Sequence, residues 1–405
     1  MRRSADVVIR MQLNLSNIEW LVGCEETLNE KPVVPFDETV IEELDALSKA
    51  LMKDPASRQY PDVVTFAFFC RRGNLLKQKE IYKPLTFNLQ PRLGWGLIFH
   101  IAPSNVPVNF AYSVVAGLLA GNTNVVRVSQ KQFPQVDIIV KHMREIEMKR
   151  LAVVRYPHES NANEVFSAMS DVRVIWGGDA TIATIRQNAI PPRAFDICFA
   201  DRYSIAAINS DELTTDKLNP ENLKQLAERF YNDTYLFDQN ACSAPHLVVW
   251  TGNHVEEAKK LFWDAVQQVT EQKYQFQDVM AVDKLTALYK QACAMPTHEE
   301  ETKNNILRRV EVDALQQDID SFRCAGGYFT EYTAQSLDEI APIVNEKYQT
   351  LAYYGFTQQE LADFVLRNRL TGIDRIVPLG ETTAFSLTWD GMNLIERMSK
   401  IVDIL

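Results

Sequence analysis

From Gly94 to Asn188 the chain alternates short β-branched apolar runs with amphipathic stretches, and few folds accept that rhythm. GWGLIFHIA reads as a buried strand, PSN as a turn and VPVNFAYSVVAGLLAG as a helix closed by Gly121. NVVRVS, LAVVRY and VRVIW read as further strands, with VDIIVKHMREIE and NEVFSAMS as the helices between them, and GGDATIATIRQN adds a turn and a helix. Strands separated by single helices run parallel with right-handed crossovers, so the segment predicts a doubly wound α/β sheet. Such sheets bind nucleotides at the carboxyl ends of their strands.

At 405 residues the chain exceeds one ordinary core, so two lobes with a cleft between them are expected. The first is placed at residues 1–234, scaffold plus cofactor-binding domain. The second, at 235–370, starts where LFDQNACSAPHLVVWTG leads into the helix HVEEAKKLFWDAVQQV, and 371–405 is expected to pack back on the first. Upstream of residue 88, Phe36, Val40, Leu44, Leu47 and Leu51 mark one face of a helix over Asp37–Lys53, and VVTFAFFC is a β-branched, aromatic run.

A formal charge of −11, from 42 Lys and Arg against 53 Asp and Glu, argues against nucleic acid and anionic lipid as partners. Asp6, Arg10 and Gln12 interrupt the N-terminal apolar residues before a signal-peptide core can form, and no window reaches the roughly 18 apolar residues of a membrane span. The expected location is cytoplasmic. Six cysteines lie singly with no CxxC pair, which suits reduced thiols. The six histidines are isolated too, so no metal site is expected.

Four places carry candidate chemistry. Cys242 lies between Ala241 and Ser243 ahead of a proline, where it is either a nucleophile or, as local sequence alone favours, a small buried hydrophobe. Asn105, in HIAPSNVP, is either a helix cap or an oxyanion donor. In AGNTNVVRVSQK, Arg127, Ser129 and Lys131 suit the ribose and phosphate of a dinucleotide, or simply end a solvated strand. In WGGDATIA, Gly177 and Gly178 admit a pyrophosphate or make a tight turn, and Asp179 reads as a helix cap. The motif is not GxGxxG, which disfavours an ordinary Rossmann dehydrogenase. Near the C-terminus, Asp374 and Arg375 read as an ion pair, Trp389 as a packing residue and Trp-Asp-Gly as a turn.

Taken in order, these segments resemble the aldehyde dehydrogenase superfamily: GLIFHIAPSNVPVNF is similar to its strand-turn-helix with the catalytic Asn, GNTNVVRVSQ to its ribose-binding strand, and QNACSAP to its nucleophile segment. Within it, WGGDATIATIR, KYQTLAYYGF and GIDRIVPLGETTAFSLTWDG resemble the fatty acyl-CoA reductases of the LuxC type. The resemblance implies an aldehyde dehydrogenase-like fold, Cys242 as nucleophile, and Asn105 with the Cys242 backbone N–H as oxyanion donors. It implies cofactor contacts from Pro103, Ser104, Arg127, Ser129, Gln130, Lys131, Gly177 and Gly178. His100 and His246 read as satisfied structural histidines ahead of groups that tune the thiolate.

Two departures refine what the resemblance implies. In CFADRYS, Cys198 stands where oxidative members carry the Glu that activates water, which favours reduction of an acyl-enzyme over its hydrolysis. Gln130 replaces the Glu that repels a 2′-phosphate, beside Arg127 and Lys131, which favours NADPH. The implied activity is NADPH-dependent reduction of an acyl-CoA or acyl-carrier thioester to aldehyde without a metal. The alternatives are an oxidative aldehyde dehydrogenase, or an acyltransferase or thioesterase without redox chemistry. An acyl-protein synthetase partner and a homo-oligomer follow from the same resemblance.

Overall fold

The computed structural model describes residues 18–86, 90–103, 106–157, 159–214 and 216–404. Strand LIFHI is buried at all five positions, the pattern of a strand covered on both faces. It lies in a six-stranded sheet formed by β1 (Glu19–Val22), β3 (Leu97–Ile101), β4 (Thr123–Arg127), β5 (Leu151–Arg155), β6 (Val172–Trp176) and β7 (Phe195–Phe199), while β2 (Arg92–Gly94) lies apart from it. The order β1-β5-β4-β3-β6-β7 is parallel except for edge strand β1. The chain winds from β3 out through β4 and β5, then returns to β6 and β7 on the other side. The carboxyl ends of β3 and β6 therefore flank a topological switch point, the usual place for a nucleotide.

A second sheet has the order β10-β11-β12-β9-β8-β13-β14, with β8 (Tyr203–Asn209), β9 (Pro245–Thr251), β10 (Thr297–Glu299), β11 (Arg308–Val312), β12 (Tyr328–Thr333), β13 (Tyr348–Tyr354) and β14 (Arg375–Pro378). Only edge strand β10 is antiparallel. Alternate residues of β9 serve two cores, as a period of two requires. Val248 and Trp250 join Phe230, Phe262, Trp263 and Phe329, whereas Leu247 and Val249 join Tyr203, Tyr348, Ile340 and Phe364. Within the first core Glu331, fully buried, accepts hydrogen bonds from Trp250 Nε1 (2.7 Å), Trp263 Nε1 (2.8 Å) and Arg309 Nε (2.6 Å).

These sheets belong to two compact units, one running to Ala200 and resuming at Met392, the other spanning Asp201–Gly391. The division expected at residues 234 and 371 shifts for a physical reason. β8 pairs with β9 and β13, and β14 pairs with β13, so both segments are tied into the second sheet. Only the end of the chain returns to the first unit, where Ser399–Ile401 pairs antiparallel with β2. VVTFAFFC is a helix, Pro61–Phe69, and not an extended run. Pro61 starts it, and Val63, Phe66 and Ala67 bury one helical face. No helix among the described residues is long and apolar enough to cross a membrane.

Candidate active site

The Cys242 loop begins where the helix Pro220–Thr234 runs into a 3₁₀ turn, Tyr235–Phe237. Asp238 (φ 52°) and Gln239 (φ 60°) then adopt consecutive left-handed conformations, each costly for a residue with a Cβ. Side-chain hydrogen bonds hold the strained turn. The Gln239 amide, 1% exposed, donates to the carbonyls of Pro245 (2.9 Å) and Tyr328 (3.0 Å) and accepts from the N–H groups of Gly327 (2.9 Å) and Tyr328 (3.2 Å). Tyr274 donates its hydroxyl to Asp238 (2.8 Å). One side chain thus staples both ends of the loop to the start of β12.

Cys242 itself is exposed. Its carbonyl accepts from Ser204 Oγ (2.6 Å), which in turn accepts from the Thr350 N–H (3.2 Å). The loop therefore sits over the amino ends of parallel strands β8, β9, β12 and β13. Solvent reaches the cysteine, yet protein crowds its sulfur enough that lost hydration is the largest influence on the thiol and pushes its pKa up. Asp201 and Asp390 add to this, while a backbone hydrogen bond at Arg202 and the charge of Arg323 oppose it.

Neither His246 nor His100 is a cation. His246 is buried, stacks on Tyr203 at 5.7 Å, and burial lowers its pKa to about 3, with Arg323 adding to the shift. His100 is buried between Ser113 Oγ (2.8 Å) and Asn124 Oδ1 (2.9 Å), and burial lowers its pKa to about 4. Asn124 can only accept there, so His100 donates from Nε2. Its Nδ1 accepts from Ser113, whose oxygen takes the Trp176 indole N–H (3.0 Å). That network is complete and structural.

Ser104 and Asn105 lie outside the described residues. Pro103 follows β3 and Gly177–Gly178 follow β6, so both segments flank the switch point. Gly178 caps the helix Asp179–Arg186, and Asp179 is its first residue instead of its cap. A Cβ at Gly178 would meet nothing within 4 Å, whereas one at Gly177 would press on Thr181 at 3.0 Å. Arg127 ends β4 with its guanidinium 5.0 Å from the Tyr156 ring and a buried Nε that has no protein partner. Ser129 accepts from the Lys131 N–H (3.1 Å), and Gln130 and Lys131 are exposed. An unpaired buried N–H and open space over Gly178 fit a dinucleotide. Among the described residues no group of three or more His, Cys, Asp or Glu could hold a metal ion.

Cys198 lies on β7, half-buried, and accepts from Arg186 Nη2 at 3.3 Å. Asp374 and Arg375 are not each other's partners. Asp374 pairs with Arg202, while Arg375 donates to the carbonyls of Thr382 (2.8 Å), Glu381 (3.1 Å) and Ala384 (2.5 Å) and lies over Trp389 at 5.0 Å. Gln239 and Ser204 carry no signal in the sequence, because they act through main-chain atoms of distant segments.

A family model described as Acyl-CoA reductase (LuxC) matches residues 72–401. The long-chain acyl-protein thioester reductase of Photorhabdus laumondii subsp. laumondii is 24% identical over 334 residues, 75% of this chain and 62% of that protein. The protein of the same name from Vibrio harveyi is 22% identical over 322 residues, 76% of this chain and 64% of that one. The chain thus spans less than two thirds of the length of these relatives. Among solved structures, a variant 1-pyrroline-5-carboxylate dehydrogenase from Thermus thermophilus aligns with TM-score 0.66 at 11% identity, covering 93% of this chain and 83% of its own. An NAD-dependent benzaldehyde dehydrogenase from Corynebacterium glutamicum aligns with TM-score 0.61 at 12% identity, covering 93% and 87%. The fold is aldehyde dehydrogenase-like, and with a family match running through both sheets, the chain belongs to the LuxC family.

Proposed function

We propose that the protein reduces a fatty acyl thioester, carried on coenzyme A or on a protein, to the aldehyde through a covalent thioester on Cys242. The observation that carries this reading is the solvent-open Cys242 on a loop pinned by Gln239 and Ser204. The names of the curated relatives, long-chain acyl-protein thioester reductases, support the substrate class.

In this reading the Cys242 sulfur attacks the thioester carbonyl, and the carrier thiol leaves with the proton that Cys242 gives up. The developing oxyanion is held by the Cys242 backbone N–H and the Asn105 amide. A bound nicotinamide would supply the hydride. Collapse of the resulting thiohemiacetal on Cys242 releases aldehyde and the thiolate, which regains a proton from water. In this reading Cys198, which replaces the water-activating Glu and whose thiol pKa burial pushes up, leaves the acyl-enzyme without a base for its hydrolysis.

NADPH is the proposed cofactor. Arg127, Ser129, Gln130 and Lys131 would hold its adenosine end, and Pro103, Ser104, Gly177 and Gly178 its pyrophosphate. The neutral Gln130 beside two cations is what favours the 2′-phosphate. An acyl-protein synthetase and a second copy of the chain are the proposed partners.

Intact-protein mass spectrometry after mixing with a panel of acyl-CoAs, without nicotinamide, tests the chemistry. The expected result is an acyl mass shift that Cys242→Ala abolishes. Acylation that persists in the variant would overturn the mechanism, and release of free fatty acid without a nicotinamide would point to a thioesterase.

A further inference from the structure

The C-terminal stretch TWDG contains a carboxylate that the chemistry above does not use. Asp390, its side chain 4% exposed, sits at φ 46°, followed by Gly391 at φ 71°. Gln349 Nε2 donates to Asp390 Oδ1 at 2.6 Å. On the same strand, Thr350 gives its hydroxyl to Gln349 Oε1 (3.4 Å) and its N–H to Ser204 Oγ (3.2 Å), and Ser204 holds the Cys242 carbonyl at 2.6 Å. A continuous polar path thus joins Asp390 to the nucleophile's backbone.

The charges around Asp390 are unequally shared. Arg202 Nη1 is 3.9 Å from Asp390 Oδ2, but the same guanidinium makes its close contact with Asp374. Arg375, the next cation, spends its donors on three carbonyls. Asp390 is close enough to act electrostatically on the Cys242 thiol, where Asp201 works in the same direction and Arg323 against it.

We propose that Asp390 is a positioning residue for Cys242: through Gln349, Thr350 and Ser204 it fixes the nucleophile loop and brings a negative charge to bear on the sulfur. This rests on reading Cys242 as the acyl acceptor. Burial raises the Asp390 pKa, with Asp374 adding and Arg202, Gln349 and Arg375 opposing.

The test is the pH profile of Cys242 alkylation by iodoacetamide on the full chain, read by mass spectrometry of the peptide that carries Cys242. Asp390→Asn keeps an acceptor for Gln349 and removes the charge. It is expected to lower the midpoint by about half a pH unit and to speed alkylation about threefold at neutral pH. Asp313→Asn, which removes an exposed charge elsewhere, is expected to leave the midpoint in place. An unmoved midpoint in folded Asp390→Asn, or an equal shift in Asp313→Asn, overturns the proposal. Should Asp390→Asn not fold, Ser204→Ala decides. Cutting the path there is expected to lower the limiting alkylation rate with the midpoint unchanged, and a wild-type rate would sink the idea. Alkylation involves no acyl thioester, so a failure of the proposed reaction would show separately as absent acylation.

Discussion

His100 and His246 lie within five residues of Asn105 and Cys242 in the chain, yet the surroundings of each make it neutral. The ordinary histidine pKa is about 6.5, and burial lowers these to about 4 and about 3. A folded pKa below the unfolded one means the contribution is fully present above pH 6.5 and is lost as pH falls toward the folded value. For His100 this amounts to about 3 kcal/mol across that window. Urea unfolding at steps from pH 7 to pH 4 is expected to show stability falling, and His100→Gln should flatten part of the slope. An identical slope would refute the assignment. For the proposed cofactor, Gln130→Glu puts a carboxylate beside Lys131. Equilibrium titration is expected to show NADPH losing about tenfold in affinity relative to NADH.

At the scale of elements, the turn before Cys242 depends on one amide. Gln239→Leu would leave the carbonyls of Pro245 and Tyr328 and the N–H groups of Gly327 and Tyr328 without their partner. The expected cost is about 2–4 kcal/mol in chemical denaturation, together with slower acylation of Cys242. Wild-type stability would refute the staple. The sequence could not display this. β3 to β6 were legible because apolar periodicity is a property of neighbouring residues, and that regularity also placed Arg127, Gly177 and Gly178 at strand ends. Gln239 works through main-chain atoms some 90 residues on, which have no side-chain signature. Asp374 and Arg375 misled for a related reason: adjacent opposite charges suggest a pair, but on neighbouring residues the two side chains diverge, one to Arg202 and the other to the 381–384 carbonyls. VVTFAFFC likewise carries β-prone residues, and tertiary burial of Val63, Phe66 and Ala67 decided for helix.

For the whole molecule, the two units differ in how the chain builds them. Every strand pair of the second sheet closes within residues 201–391, so that unit is one continuous segment. The first unit needs the far end of the chain. Leu394, Ile395 and Met398 are buried there at 2% exposure or less. Arg92, itself 4% exposed, donates to Ser399 Oγ (3.0 Å) and the Glu396 carbonyl (3.0 Å), and Asn122 donates to the Met398 carbonyl (2.8 Å). Truncation after Gly391 removes those three apolar side chains, worth about 1.5–3 kcal/mol each, and strands a buried guanidinium without its partners. Losses of that size rival the whole stability of an ordinary domain. The truncated chain is therefore expected to lose the first unit's melting transition and to yield a protease-resistant fragment matching residues 201–391. If its calorimetric trace instead overlays that of the full chain, residues 392–405 are dispensable and the first unit closes without them.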